Sequence, residues 1–351
     1  MDNKHTEHAE VDALREAIQV IDTEVVAKLP CGTNVSEITP HGSSLWTRTA
    51  RLNAQLDGVN QTYFLKTSFG ERGKTMMSSE FYCMTKIYDV MPDLVPRPIA
   101  WGTYSKIPDV HFFLCDFRNM TDELPDIGSF PTKIGEMHHA GVSPNGRFGF
   151  DVTTFHGNIP IEHGWSDTWE EYFARTTRVL FEREQEAQGP NERIRELMVP
   201  YFAKVVPRLL RPLQTGGRSI QPSLIHGDLW DGNASTDKDT NLPIIFDAAS
   251  FYAHNEYELG VWRQDWNKIG EDYRIRYSRH FPKSQPEGDY DDRNALYATR
   301  VNLLDSILYK GESTYRENLI RGMEKLIEKF PGGLEEWEGE SRDNADESQQ
   351  R

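Results

Sequence analysis

Two short apolar runs, Ser223 to His226 and Leu242 to Phe246, enclose a polar loop that reads Leu224-Ile225-His226-Gly227-Asp228-Leu229-Trp230-Asp231-Gly232-Asn233. A histidine two residues before an aspartate, a leucine after it and an asparagine five positions on is the spacing of a kinase catalytic loop. That chemistry needs a carboxylate to accept the proton of an attacking hydroxyl, and an amide oxygen close by to ligate magnesium on phosphates. Asp228 is the expected base and Asn233 an expected metal ligand. Asp, Gly and Asn also build ordinary polar turns, so a plain turn between two strands is the competing reading. Asp247 weighs against it. It lies fourteen residues beyond Asn233, at the end of the buried run Leu242-Pro243-Ile244-Ile245-Phe246, where a second magnesium-binding carboxylate belongs. His226 is expected to position the loop through hydrogen bonds.

A catalytic loop of this kind acts on a nucleotide bound upstream, and upstream segments supply the parts. Leu45 to Ala54, a turn at Leu56-Asp57-Gly58 and the β-branched and aromatic run Thr62-Tyr63-Phe64-Leu65-Lys66-Thr67 predict a hairpin with Lys66 on its second strand. A strand lysine is commonly a solvated edge charge. Here it stands where a kinase keeps the cation for its phosphates, and Glu80 is the natural partner to hold it. The apolar spacing of Phe81, Met84, Ile87 and Tyr88 places Glu80 near the start of a helix that ends at the segment Pro92 to Pro98. His111-Phe112-Phe113-Leu114-Cys115 is a further buried strand, and Cys115-Asp116-Phe117 after it is the expected adenine-facing hinge. His41-Gly42-Ser43-Ser44 is the candidate phosphate loop, with Ser43 and Ser44 as binding residues, and a β-turn is the alternative.

The net charge of -16 over 351 residues argues against nucleic acid or an anionic membrane as partner. Any phosphate must therefore meet a local cation such as Lys66. The three cysteines form neither a CxxC pair nor a metal-ligand pattern. His138-His139 lack a third ligand at metal spacing and are expected on a helix over the core. The polar N-terminus lacks the apolar stretch of a secretory signal, and no apolar run approaches membrane-spanning length, so a cytoplasmic protein is expected. Residues 9–28 carry a helical repeat, and Asp167-Thr168-Trp169-Glu170 resembles a capping box ahead of another helix. Further helices are expected from Asn191, over 292–309 and over 313–330, with a disordered acidic tail from Pro331.

At these residues the chain resembles the fructosamine and ketosamine-3-kinases, relatives of the aminoglycoside phosphotransferases. The likeness runs from about residue 35 to 325. It is carried by Phe64-Leu65-Lys66, Glu80, Phe148-Gly149-Phe150-Asp151, Gly157-Asn158-Ile159-Pro160, Trp169 with Tyr172-Phe173-Ala174-Arg175, the loop His226 to Asn233 with its Trp230, Phe246-Asp247, Ser250-Phe251-Tyr252 and Glu256-Tyr257-Glu258-Leu259. It implies an α+β, two-lobed protein-kinase-like fold: a small N-terminal lobe with an antiparallel sheet over 1–114, a hinge at 115–120, and a larger, mainly helical lobe over 121–330. It implies ATP and Mg2+ as cofactors and, as acceptor, the 3-hydroxyl of a ribulosamine or fructosamine on lysine or on a glycated protein, a step that leads to deglycation. Trp230 and Glu258 are the candidate acceptor-side residues. The chain departs from the family at Asp231, where Ser is common, at Ala248, where Pro is common, and over Gly260 to Ile269, which lacks an expected glycine-rich stretch. A kinase for an aminoglycoside or choline-like amine, and a silent nucleotide-binding module, are the alternatives.

Overall fold

The structure, a computed structural model, describes residues 2–43 and 46–339. It divides into two compact units, neither contiguous in sequence: residues 1–133, 152–160 and 226–250 form one, and 134–151, 161–225 and 251–351 the other.

The first unit is built on alternation. Helices α1 (Asp2–Ala17) and α2 (Thr23–Ala27) lead into strands β1 (Asn34–Ser43), β2 (Arg48–Leu56) and β3 (Val59–Phe69). Helix α3 (Gly70–Val90) and strands β4 (Pro98–Thr103) and β5 (Val110–Asp116) follow. The strands make one antiparallel sheet in the order β1-β2-β3-β5-β4. Successive strand side chains point to opposite faces. Ala50, Leu52, Tyr63, Leu65, Phe112 and Leu114 therefore share one face, packed in a core with Leu14 of α1, Val25 of α2, and Ile18 and Leu29 in the turns that follow those helices. Phe64, Lys66 and Phe113 fall on the other, where Phe81 of α3 meets Phe113. The β2–β3 turn places Asp57 at φ 52° and Gly58 at φ 79°, the left-handed pair a tight hairpin requires.

The helical repeat over 9–28 is broken into two helices, because Asp22 interrupts it. Its buried carboxylate caps α2 through the Glu24 amide and also accepts from the Ser105 and Lys106 amides. These bonds offset the burial that would otherwise raise its pKa, and hold it below the usual carboxylate value. Helix α3 begins ten residues before Glu80, so Glu80 stands mid-helix rather than near a start. The run 41–43 belongs to β1, an edge strand irregular between Pro40 and Ser43.

The second unit carries a four-stranded sheet of Ser223–Ile225, Phe251–Ala253, Phe148–Phe150 and Gly164–Ser166 in that order. Gly149 is required there: at φ 138° it lies so near Gly164 that an added Cβ would sit 1.8 Å from the Gly164 carbonyl oxygen. The helix Trp169–Gln188 starts at Thr168, whose side chain accepts from the Glu171 amide. Trp169 is buried beside Tyr172, Tyr257 and Tyr297. The helix Tyr290–Leu308 is buried on all sides, and its Arg293 pairs with Glu256 at 2.7 Å. The acidic tail is ordered further than its composition implies. Residues 333–339 are helical, and Trp337 lies under the Arg208 and Arg218 guanidinium groups at 5.2 and 5.7 Å. Among the described residues no helix is long and apolar enough to cross a membrane.

Candidate active site

Of the expected nucleotide and metal residues, Lys66, Glu80 and Asp247 meet within the first unit, which also holds Asn233. Lys66 lies on β3, the middle strand of the sheet, paired across to Thr49 and Phe113. It is only 8% exposed. A buried ammonium needs compensation, and Lys66 has two partners: Glu80 Oε2 at 2.8 Å and Asp247 Oδ1 at 3.0 Å. Burial alone would lower the lysine pKa, yet the two carboxylates hold it well above its ordinary value. Asp247 is opposed by burial and favoured by the Lys66 charge, which keeps its carboxyl below the usual range. Burial is also the largest influence on Glu80. It outweighs the attraction of Lys66 and, with Asp247 nearby, pushes Glu80 up to about 7.

This ordering gives a pH signature. In the unfolded chain Glu80 loses its proton near 4.5, and in the folded protein near 7. Between those values the folded state binds more protons, so this group makes stability fall as pH rises. Glu80→Gln removes it. Denaturant unfolding at pH 5 and pH 7 is expected to show a wild-type decline steeper than that of Glu80→Gln by on the order of 1 kcal/mol. Equal pH slopes would contradict the assignment.

The catalytic loop is fixed by His226, which is fully buried. One ring nitrogen, Nε2, lies 2.9 Å from the Phe246 carbonyl and the other, Nδ1, accepts from the Asp228 amide at 3.2 Å. A carbonyl only accepts and an amide N–H only donates, so Nε2 carries the proton and Nδ1 is bare. His226 thus ties the start of the loop to the residue before Asp247. The hairpin of Ala234–Thr236 and Pro243–Ile245 makes the second tie, and the Phe246 amide donates to the Asn233 carbonyl. The Asn233 side chain donates through Nδ2 to the Asp228 carbonyl at 2.8 Å and to Asp228 Oδ2 at 3.3 Å. Its Oδ1 is then the atom left for a cation. Asp247 sits at φ 59°, an uncommon left-handed conformation of the kind that clusters at functional sites. Trp230 is 37% exposed, and its indole lies over Gly232, where an added Cβ would come within 2.2–2.5 Å of the ring. Glycine at 232 is what lets the indole lie there.

A cavity of about 510 Å³ adjoins this cluster. Cys115, Asp116 and Phe117 line it, as do Glu80, Asp247 and Phe246. The hinge amides are already committed, Asp116 N–H to the Arg97 carbonyl and Phe117 N–H to the Thr62 carbonyl. A base seated here would take its backbone donor from beyond Phe117. Ser43 ends β1, and Ser44 lies outside the described residues. His41 of the same run lines the cavity with its ring 5.0 Å from that of Phe117, over which Arg51 stacks at 4.8 Å. The thiols of Cys83 and Cys115 are buried and raised, that of Cys83 to about 12, which leaves them unreactive.

His156, which no sequence motif marks, belongs to the same unit and approaches Asp228 Oδ1 at 3.3 Å. Glu258, expected on the acceptor side, is 2% exposed in the second unit, where its carboxylate lies 3.5 Å from the buried His138. His138 in turn bonds to the Tyr277 hydroxyl at 2.7 Å, a core arrangement. Among the described residues no group of three or more His, Cys, Asp or Glu side chains is gathered as a metal centre. Asn233 and Asp247 supply one amide oxygen and one carboxylate, hard oxygen donors that suit magnesium, which keeps waters and phosphate oxygens for its remaining positions.

Known proteins resemble the chain in sequence and in fold. The family model described as fructosamine kinase matches residues 37–329. The ketosamine-3-kinase of Mus musculus is 31% identical over 219 residues, 56% of this chain and 68% of that protein. The chloroplastic protein-ribulosamine 3-kinase of Arabidopsis thaliana is 28% identical over 245 residues, 67% of this chain and 68% of that protein. A crystal structure described as a fructosamine-3-kinase from Thermobifida fusca superposes with a TM-score of 0.68 at 18% identity, covering 88% of this chain and 100% of the other. An aminoglycoside phosphotransferase in ternary complex with AMP-PNP and hygromycin B superposes at 0.52 with 13% identity, covering 87% and 96%. The kinase-like α+β fold is thereby shown, and the chain, a phosphotransferase, belongs to the fructosamine kinase family.

Proposed function

We propose that this enzyme transfers the γ-phosphate of magnesium-ATP to the 3-hydroxyl of a ketosamine, a ribulosamine or fructosamine borne on lysine or on a protein amine. The observation that carries the reading is the double pairing of Lys66 with Glu80 and Asp247, in the same unit as the loop from Asp228 to Asn233. That is the layout of a site where little covalent chemistry is asked of the protein, and positioning and charge do the rest.

In this mechanism Asp228 accepts the proton of the acceptor hydroxyl as its oxygen attacks phosphorus, with ADP leaving. Lys66, held by Glu80, is the cation for the nucleotide phosphates. Asn233 Oδ1 and the Asp247 carboxylate would hold magnesium, which neutralises charge on the phosphate oxygens when bound. His226 keeps Asp228 in register with Asp247, and the cavity at Cys115-Asp116-Phe117 takes the base. The assignment of ketosamine rests on the family, supported by a net charge of -16 that favours encounter with a cationic amine or a basic glycated protein.

The test is to incubate the protein with magnesium-ATP and ribulosyl-lysine, fructosyl-lysine, an aminoglycoside or a choline-like alcohol, and to map phosphate by mass spectrometry. Phosphate on the sugar 3-hydroxyl of a lysine conjugate is expected. Phosphorylation of only the aminoglycoside or the alcohol would overturn the acceptor assignment.

A further inference from the structure

The strand Thr154–His156 belongs to a short hairpin that turns at Gly157-Asn158, with Gly157 at φ 59°, and packs against α3. It delivers His156 to the catalytic loop: Nδ1 stands 3.3 Å from Asp228 Oδ1, with the two side chains 12% and 18% exposed. That nitrogen is buried and completes no hydrogen bond, the approach to Asp228 included. A buried ring nitrogen without a partner is costly unless it serves the group it faces. What it faces is a carboxylate, which only accepts, so an attractive contact requires the proton on Nδ1.

The rest of the Asp228 environment shows why such a donor matters. Its other oxygen, Oδ2, receives the Asn233 amide at 3.3 Å. Between Asp228 and Asn233 the loop reads Leu229-Trp230-Asp231-Gly232, with no basic side chain. Without His156 the carboxylate is held from one side and can rotate about its last bond. A hydrogen bond from His156 Nδ1 would tether the second oxygen as well. Hydrogen bonds of this kind are often long before substrate binds and tighten in the reacting complex.

We propose that His156 is a positioning residue for phosphoryl transfer, donating from Nδ1 to Asp228 Oδ1 and fixing the carboxylate that receives the acceptor proton. The proposal rests on the kinase reading above and adds to it a residue from outside the catalytic-loop motif.

Two substitutions separate the role from simple packing. His156→Phe keeps a ring and removes both nitrogens, whereas His156→Asn returns an N–H close to the position of Nδ1. The Phe variant is expected to lose about 10- to 100-fold in kcat with the KM for ATP and the nucleotide-induced thermal shift unchanged. The Asn variant should recover most of that loss, and His156→Phe should add nothing to Asp228→Asn. A folded Phe variant with wild-type kcat, or losses that multiply in the double variant, would overturn the proposal. Nitrogen-15 NMR of the imidazole decides the contact independently of turnover: Asp228→Asn should move the His156 Nδ1 resonance, and an unmoved resonance sinks the proposal. If the wild type phosphorylates no acceptor, the proposed function fails, while the NMR comparison still tells whether His156 and Asp228 are bonded.

Discussion

Asp228→Asn is expected to lower turnover by about 100-fold or more while magnesium-ATP still raises the melting temperature as in the wild type. The substitution preserves size and hydrogen-bonding reach but removes the anionic acceptor for the hydroxyl proton. The backbone around it should hold, because the Asp228 amide is bound by His226 and its carbonyl by Asn233, neither of which involves the carboxylate. Steady-state kinetics alongside thermal melting separates the outcomes. A folded variant with near-normal turnover would remove Asp228 from the chemistry.

Asp247→Ala should have a comparable effect on turnover through a different loss. Asp247 is paired with Lys66 at 3.0 Å and is tied through Phe246 to Asn233. Removing its carboxylate deletes one of the two expected magnesium donors, so the magnesium-dependent part of nucleotide stabilisation should vanish. At ligand concentrations about 100 times Kd, stabilisation amounts to about 2.7 kcal/mol in the wild type. A second consequence is internal. Asp247 is among the causes that raise Glu80, so its loss should bring Glu80 down and shrink the pH dependence of stability that Glu80 imposes. Titration calorimetry of ATP with and without magnesium reads the first effect. Retained magnesium dependence in Asp247→Ala would assign the metal to other ligands.

The parts of the site that were legible in the sequence are those where chemistry and local pattern coincide. Lys66 could be placed because Thr62 to Thr67 alternates, setting Tyr63 and Leu65 against one face and leaving Lys66 for the other. Asp247 could be placed because a buried run ends at Phe246. Glu80 stands out in the sequence but its setting does not, since the apolar spacing that marks the helix begins only at Phe81. Tertiary packing explains the glycine at 73: a Cβ there would come within 2.7 Å of the Ser68 backbone carbon, so the helix can start this tightly against β3. Strand β1 was hidden by Pro40 and Gly42, which an irregular edge strand tolerates.

His156 was invisible for a different reason. A lone histidine between Phe155 and Gly157 has no spacing that signals chemistry, and only the fold brings it to Asp228. Glu258 shows the converse. Its segment helps to carry the family likeness, yet Glu256 pairs with Arg293 and Glu258 lies beside His138, both in the core. Motif membership located the segment without separating packing from binding. The discontinuity of the first unit also exceeds what a linear reading provides, because residues 152–160 and 226–250 join the unit of the five-stranded sheet through contacts distant in sequence.

The most direct test follows the phosphate itself. With ATP labelled at the γ-phosphorus, magnesium and fructosyl-lysine or ribulosyl-lysine, the account predicts that label moves to the sugar in one-to-one proportion with ADP, and that Asp228→Asn slows this transfer by about 100-fold. Label that stays on ATP, or that appears only as inorganic phosphate at the same rate with and without the acceptor, would contradict it.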